Sequence, residues 1–269
     1  MLDARKLVAQ GHDILLITLD TLRYDVAYEM AKRGETPNLC RILPGGVWEK
    51  RHSPGSFTYA AHMAFFAGFL PTPRGPGRHD RLFAVRFPGS ATVSEQTMVL
   101  DGPDLVAGLA ACGYHTVCIG GVSFFDRRTP LGSVLPSLFA ESHWSEQLAV
   151  TERHSTRHQV ALAVERVAAT AARQRLFLFL NVSAIHSPNR LYLPSVQRDC
   201  IASHAAALRY VDGELPPLFE ALARRAPVLC IICSDHGTAY GEDGYLGHRI
   251  GHRVVWTVPY AELVLPKRE

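Results

Sequence analysis

The stretch that most constrains this chain is Val228-Leu-Cys-Ile-Ile-Cys-Ser-Asp-His-Gly237, which continues to Gly247-His248. Its apolar run, broken at once by polar residues and glycine, is the pattern of a strand buried on both faces, and such strands belong to parallel sheets covered by helices. Ligands and metals bind in the loops beyond the carboxyl ends of such strands. Asp235 and His236 are adjacent metal-capable side chains in that place, and Gly237 lets backbone fold close around them. A solvated turn uses the same residues, so the pair needs support from elsewhere in the chain.

Support comes from the other strand ends. Residues 13–19 form an apolar strand followed by Asp20-Thr-Leu-Arg-Tyr-Asp25. A buried carboxylate at a strand tip is costly without a cation or donor, which makes Asp20 a candidate ligand; as a helix N-cap it would be ordinary. Asp25 reads as surface or structural. Thr36-Pro37 opens a short helix, with the threonine as its cap.

A Gly/Pro-rich loop then leads to a helix from Thr58 to Gly68. Thr58 sits where free N–H groups and the positive dipole end receive anions, so its hydroxyl is either a cap or a metal-activated nucleophile. His62, one turn later, shares nearly the same face. Residues 72–77 are a Pro/Gly connector and 82–87 a possible strand. A helix over 105–112 ends at Gly113, a strand over 116–119 ends at Gly120-Gly121, and Phe124 and Phe125 are loop aromatics. A long amphipathic helix spans 155–173, and a buried strand over 176–182 ends in a loop bearing His186. The helix at 201–224 must kink or divide at Pro216-Pro217, and 257–265 supplies a last, peripheral strand.

Alternating strands and helices over 1–269 imply one α/β domain, a mostly parallel sheet flanked by helices on both faces. A formal charge of +3 with scattered arginines gives no nucleic-acid surface. The apolar runs are far short of the roughly 20 residues of a membrane span, and the N-terminus has no signal-type segment, so the expected location is the cytoplasm. Six cysteines in mostly apolar surroundings read as reduced core thiols. Cys230 and Cys233, three apart on a strand, face opposite sides and are not read as a redox pair.

Together, several stretches resemble the alkaline phosphatase superfamily and its sulfatase-like branch. They are Ile17-Thr-Leu-Asp-Thr-Leu-Arg23, Thr36-Pro-Asn-Leu39, the helix ending Gly68-Phe-Leu-Pro71, the segment from Phe177 to Pro188, Ala207-Leu-Arg-Tyr-Val-Asp212, and Ser234-Asp-His-Gly237 with Gly247-His248. The resemblance implies that Asp20, Asp235 and His236 hold a divalent metal. It puts Thr58 at the nucleophile, a metal-contacting position, and His62 at the arginine of the sulfatase Cys/Ser-x-Pro-x-Arg pattern. His186 matches an oxyanion-contacting histidine, and His248 a position near the leaving group.

The departures are informative. Thr58, Ala60 and His62 lack the residue that sulfatases convert to formylglycine, together with the Pro and Arg, so sulfate ester hydrolysis is disfavoured. The Asp-x-x-x-His spacing of two-metal members lands on Val182, which leaves a second site absent or built from His186, His248 and His252. The expected activity is metal-dependent hydrolysis of a small phosphate monoester or diester through a phosphothreonine at Thr58. One ion is expected, Zn²⁺ first, with Mn²⁺, Ca²⁺ or Mg²⁺ open. His62 and His186 would neutralise equatorial oxygens, and His248 or His252 would protonate the leaving group. The alternatives are a phosphotransferase, a phosphonate hydrolase, or a non-catalytic member that binds a phosphorylated ligand. Arg23, Phe124 and Tyr240 are candidates to shape the pocket, and a homodimer is possible by analogy.

Overall fold

The computed structural model describes residues 1–68 and 104–268, together with the backbone of two short paired strands, Phe83–Ala84 and Met98–Val99. The connector at 72–77 and most of the strand expected at 82–87 lie outside the described residues.

Seven strands make the central sheet: β1 (Asp13–Leu19), β2 (Glu49–His52), β3 (Tyr114–Ile119), β4 (Glu141–His143), β5 (Arg175–Val182), β6 (Val228–Cys233) and β7 (Thr257–Leu265). Their spatial order is β2-β7-β6-β1-β5-β3-β4. Strands β6, β1, β5, β3 and β4 run parallel, while β7 is antiparallel to both β6 and β2. The three central strands, β6, β1 and β5, are the most continuously apolar, because helices cover them on both sides.

Alternation along these strands separates two cores. Leu15, Ile17, Leu178, Leu180, Cys230 and Ile232 pack on one face. Ile14, Leu16, Phe177, Phe179, Leu229 and Cys233 pack on the other, against Met63 and Phe66 of the Thr58–Ala67 helix. Cys230 and Cys233 therefore do point to opposite faces, and all six cysteines are free. Continuing the same alternation past the strand ends carries Asp20 and Asp235 toward the side on which the Thr58 helix lies.

Several sequence expectations are corrected. The last strand is not peripheral: β2, which the sequence reading did not anticipate, covers its outer edge with exposed charged residues that discourage further pairing. The division expected at Pro216-Pro217 does occur, giving Ile201–Glu214 and Pro216–Arg225, since prolines at the start of the second helix supply no N–H to the first. The helix beginning at Ser155 stops at Ala169. Thr36 does not cap its helix through its side chain; its hydroxyl lies 3.7 Å from Cys40 Sγ.

Candidate metal centre and nucleophile

The carboxyl ends of β1, β5 and β6 meet at the site because the three strands pair in register, with Thr18 level with Asn181 on one side and Cys233 on the other. Asp20 lies just beyond β1, Asp235 and His236 just beyond β6, and all three are fully buried. The tight fold after His236 needs glycine, because a Cβ on Gly237 would collide with the Val254 carbonyl. One ligand atom from each of Asp20, Asp235 and His236 falls within 4.8 Å of the others. His236 Nδ1 donates to the Gly237 carbonyl at 2.8 Å, which leaves the Nε2 lone pair facing inward. That nitrogen is 3.8 Å from Asp20 Oδ1 and 3.5 Å from Asp235 Oδ2.

Thr58 is the first residue of its helix, not its cap. Its hydroxyl donates to Asp20 Oδ2 at 3.3 Å and lies 3.4 Å from His236 Nε2. It also lines a cleft of about 580 Å³ walled by Val122, Phe124, Trp144 and Val150, with His186, His248 and Arg249 among its lining residues. The nucleophile candidate is thus on the boundary between the buried acids and open space.

Burial pushes the Asp20 carboxyl up to about 6, helped by the neighbouring charge of Asp235 and opposed by His186, His236 and Asn181. Asp235 is pushed up to about 7, again chiefly by burial, against the backbone donors Thr21 and His236. Burial lowers His236, although Asp20 pulls it the other way. Among the described residues, Asp20 Oδ1 and Asp235 Oδ2 have no hydrogen-bond partner. Buried carboxylate oxygens left bare are expensive unless a cation meets them.

The donor set fits one. Ligands about 2.0–2.1 Å from a tetrahedral Zn²⁺ stand about 3.4 Å from each other. The pairs found here, at 3.3 to 3.8 Å, are close to that spacing. One imidazole nitrogen with carboxylate and hydroxyl oxygens suits Zn²⁺, and the oxygens also admit Mn²⁺, Mg²⁺ or Ca²⁺.

Other expected residues fall elsewhere. His62 is completely buried, with Nδ1 donating to the Thr58 carbonyl at 2.7 Å and Nε2 3.0 Å from Thr18 Oγ1. The rings of Phe65, Phe66, Phe125 and Phe179 surround it, and burial lowers its pKa to about 3. It cannot neutralise a substrate oxygen; it pins the first turn of the Thr58 helix to β1. His252 is also corrected as a ligand or proton donor, since its Nε2 meets Asp243 Oδ2 at 2.9 Å and its Nδ1 caps Val254. His186 and His248 do reach the site: the His248 ring is 4.7 Å from His236 and 5.5 Å from His186. Burial, with His236, His186 and Arg249 nearby, lowers His248 to about 3, so the free ring is neutral rather than a ready proton donor.

Phe124 lines the cleft as expected, but Arg23 and Tyr240 do not. Arg23 is held by Asp25 and Glu242, and Tyr240 bonds Asn189 and His204.

Asn181 escaped the sequence reading. Its Nδ2 donates to Asp20 Oδ2 at 3.1 Å and to Thr18 Oγ1 at 3.2 Å, while Oδ1 accepts from the N–H groups of Gly121 and Val122. The available signal was one amide side chain inside the apolar run of β5.

A helix-flanked parallel sheet with a hydroxyl at a helix start, facing acids and an imidazole at the strand ends, defines the sulfatase-like branch of the alkaline phosphatase superfamily. The Sulfatase family profile matches residues 12–260, and the chain belongs to that family. A search of curated protein sequences gave no match. Among solved structures, the C-terminal periplasmic domain of EptC from Escherichia coli, in complex with Zn, superposes with a TM-score of 0.67 at 12% identity, covering 96% of this chain and 73% of that one. The lipoteichoic acid synthase LtaP from Listeria monocytogenes gives 0.62 at 10% identity, covering 96% and 66%. A putative sulfatase from Bacteroides thetaiotaomicron gives 0.65 at 12% identity, covering 94% and 64%. At such identities these likenesses establish the fold.

Proposed function

We propose that the chain is a metal-dependent enzyme of phosphate esters that uses Thr58 as its nucleophile. The observation that carries this reading is the position of Thr58 Oγ1, within 3.4 Å of both Asp20 and His236 at a cleft wall. Asp20, Asp235 and His236 would hold a divalent ion, with Thr58 beside it. Such an ion supplies Lewis-acid stabilisation of the alkoxide and of phosphoryl oxygens.

The chain's own residues account for the rest. Asp20 Oδ2 accepts the Thr58 hydroxyl hydrogen and aims the oxygen, and Asn181 fixes that carboxylate in turn. Attack forms the Thr58 Oγ1–P bond as the ester oxygen leaves on the opposite side, giving a phosphothreonine. His62 and Thr18 hold the start of the helix so that this oxygen stays in place. His186 and His248 stand at the cleft, and the neutral ring of His248 is suited to take a proton from the entering oxygen rather than to supply one to the departing oxygen. Water as acceptor makes the reaction a hydrolysis, and an alcohol makes it a transfer.

Transfer gains support from the fold neighbours: a Neisseria meningitidis structure is a lipooligosaccharide phosphoethanolamine transferase, and LtaP is a synthase. Sulfate ester hydrolysis is disfavoured because Thr58 stands where sulfatases carry a residue convertible to formylglycine. The test uses Zn²⁺-loaded protein with aryl phosphate mono- and diesters, with and without an acceptor alcohol. Thr58→Ala should lower turnover by at least about 10³-fold while metal content is kept. Wild-type activity in that variant overturns the assignment, and tight metal binding without turnover in the native protein favours a binding role.

A further inference from the structure

Among the described residues that line the Thr58 cleft, Arg249 is the sole lysine or arginine. A phosphate ester brings negative charge into a cleft whose lining already includes Glu146, so a cation at the rim matters. The neighbouring arginines are committed: Arg23 to Asp25 and Glu242, and Arg128 to Asp126 and Glu146. Arg249 has no carboxylate partner among the described residues, and it is exposed to the cleft.

Its backbone is unusual. Arg249 sits at φ 68°, in the left-handed region that residues with a Cβ enter only when their surroundings hold them there. Two residues earlier the same loop uses glycine, Gly247, for a φ of 80°. The surroundings that hold Arg249 belong to the nucleophile segment: its N–H donates to the Ser56 carbonyl at 2.8 Å, and its guanidinium lies 5.1 Å over the Phe57 ring. Stacking on an aromatic face orients the planar fork and leaves its edge free to donate. Arg249 is thereby tied to the two residues that precede Thr58, through its backbone to Ser56 and through its guanidinium to Phe57.

We infer that Arg249 and Phe57 form an oxyanion subsite in which the guanidinium binds the non-bridging oxygens of the phosphoryl group presented to Thr58. The inference rests on the proposed role of Thr58 for its chemistry, but the binding of a tetrahedral oxyanion can be measured without turnover.

The probe is inorganic phosphate, titrated calorimetrically into Zn²⁺-loaded wild-type, Arg249→Gly and Arg249→Lys proteins. Loss of a bidentate, charge-assisted contact should weaken phosphate binding by about 10- to 100-fold in Arg249→Gly, with a smaller loss in Arg249→Lys. Zn²⁺ affinity should not change. Glycine relieves the left-handed backbone, so Arg249→Gly should melt no lower than wild type, which separates lost binding from lost folding. Equal phosphate affinity in wild type and Arg249→Gly, or no phosphate binding by wild type, overturns the inference. Arginine-dependent phosphate binding in a protein with no ester turnover would uphold the subsite and remove the Thr58 assignment. Turnover that needs Thr58, with phosphate binding indifferent to Arg249, would do the reverse.

Discussion

Replacing Asp235 by Asn should stabilise the metal-stripped protein at alkaline pH and remove most of its stabilisation by Zn²⁺. Asp235 is fully buried; Oδ1 accepts from the N–H groups of Thr21 at 3.2 Å and His236 at 3.0 Å, while Oδ2 has no partner among the described residues. Burial raises its pKa from 3.8 to about 7, so the native state holds the proton more tightly than the unfolded chain does. Its favourable contribution is therefore complete below the unfolded value and is lost as pH rises through about 7. At about 1.36 kcal/mol per pKa unit, keeping this carboxylate charged costs up to about 4 kcal/mol above that range. Asn keeps the Oδ1 acceptor and puts an N–H donor where Oδ2 stood, 3.5 Å from the His236 Nε2 lone pair.

Urea unfolding of chelator-treated protein measures the effect. The variant should gain about 2 to 4 kcal/mol near pH 8.5, about 1 to 2 kcal/mol near pH 5, where the unfolded carboxyl has ionised and the native one has not, and little below the unfolded value of 3.8. Adding Zn²⁺ should reverse the order, since binding to the native state stabilises wild type by mass action and the variant lacks one ligand. A variant less stable than wild type at both pH values without metal would refute the reasoning, and so would equal stabilisation of the two proteins by Zn²⁺.

The positioning amide offers a second test. Asn181→Ala removes bonds to Asp20, Thr18, Gly121 and Val122 at once, so urea unfolding should show a loss of about 3 kcal/mol. A loss below about 1 kcal/mol would mean that the network is not holding Asp20. At the far edge of the sheet, burial would raise the Glu141 carboxyl, but donors on His115, His143 and Arg166 outweigh it and hold the pKa near 2. That depressed value gives stability that is present above the ordinary 4.5 and is lost as pH falls toward 2. With the side chain 27% exposed, Glu141→Gln should cost about 1 to 2 kcal/mol at neutral pH and converge with wild type in acid, followed by thermal unfolding across pH. A cost independent of pH would contradict the ionic reading.

The site was legible to the extent that its residues sit at strand ends. Asp20, Asp235 and His236 each follow an apolar run, and a polar residue at that point of a parallel sheet has few purely structural uses. Thr58 and His62 illustrate the limit. Their spacing puts both on one helix face, and from spacing alone they look like partners toward a ligand. In the fold the helix meets the sheet so that Thr58 reaches the cleft while His62 enters a cage of four aromatic rings. Asn181 was hidden for the opposite reason: an amide within an apolar strand shows its purpose only when the strand beside it brings Asp20 within reach.

The sequence by itself determined the layered α/β class, the strand ends that could bear chemistry, and the residue types able to hold a cation. These follow from periodicity and punctuation, which are local properties of the chain. Only the tertiary structure decided where the histidines stand: His186 and His248 at the cleft, His62 in the core, His252 as a cap. Whether an imidazole meets solvent, a carboxylate or a ring depends on how segments far apart in sequence pack against each other, and no local pattern records that.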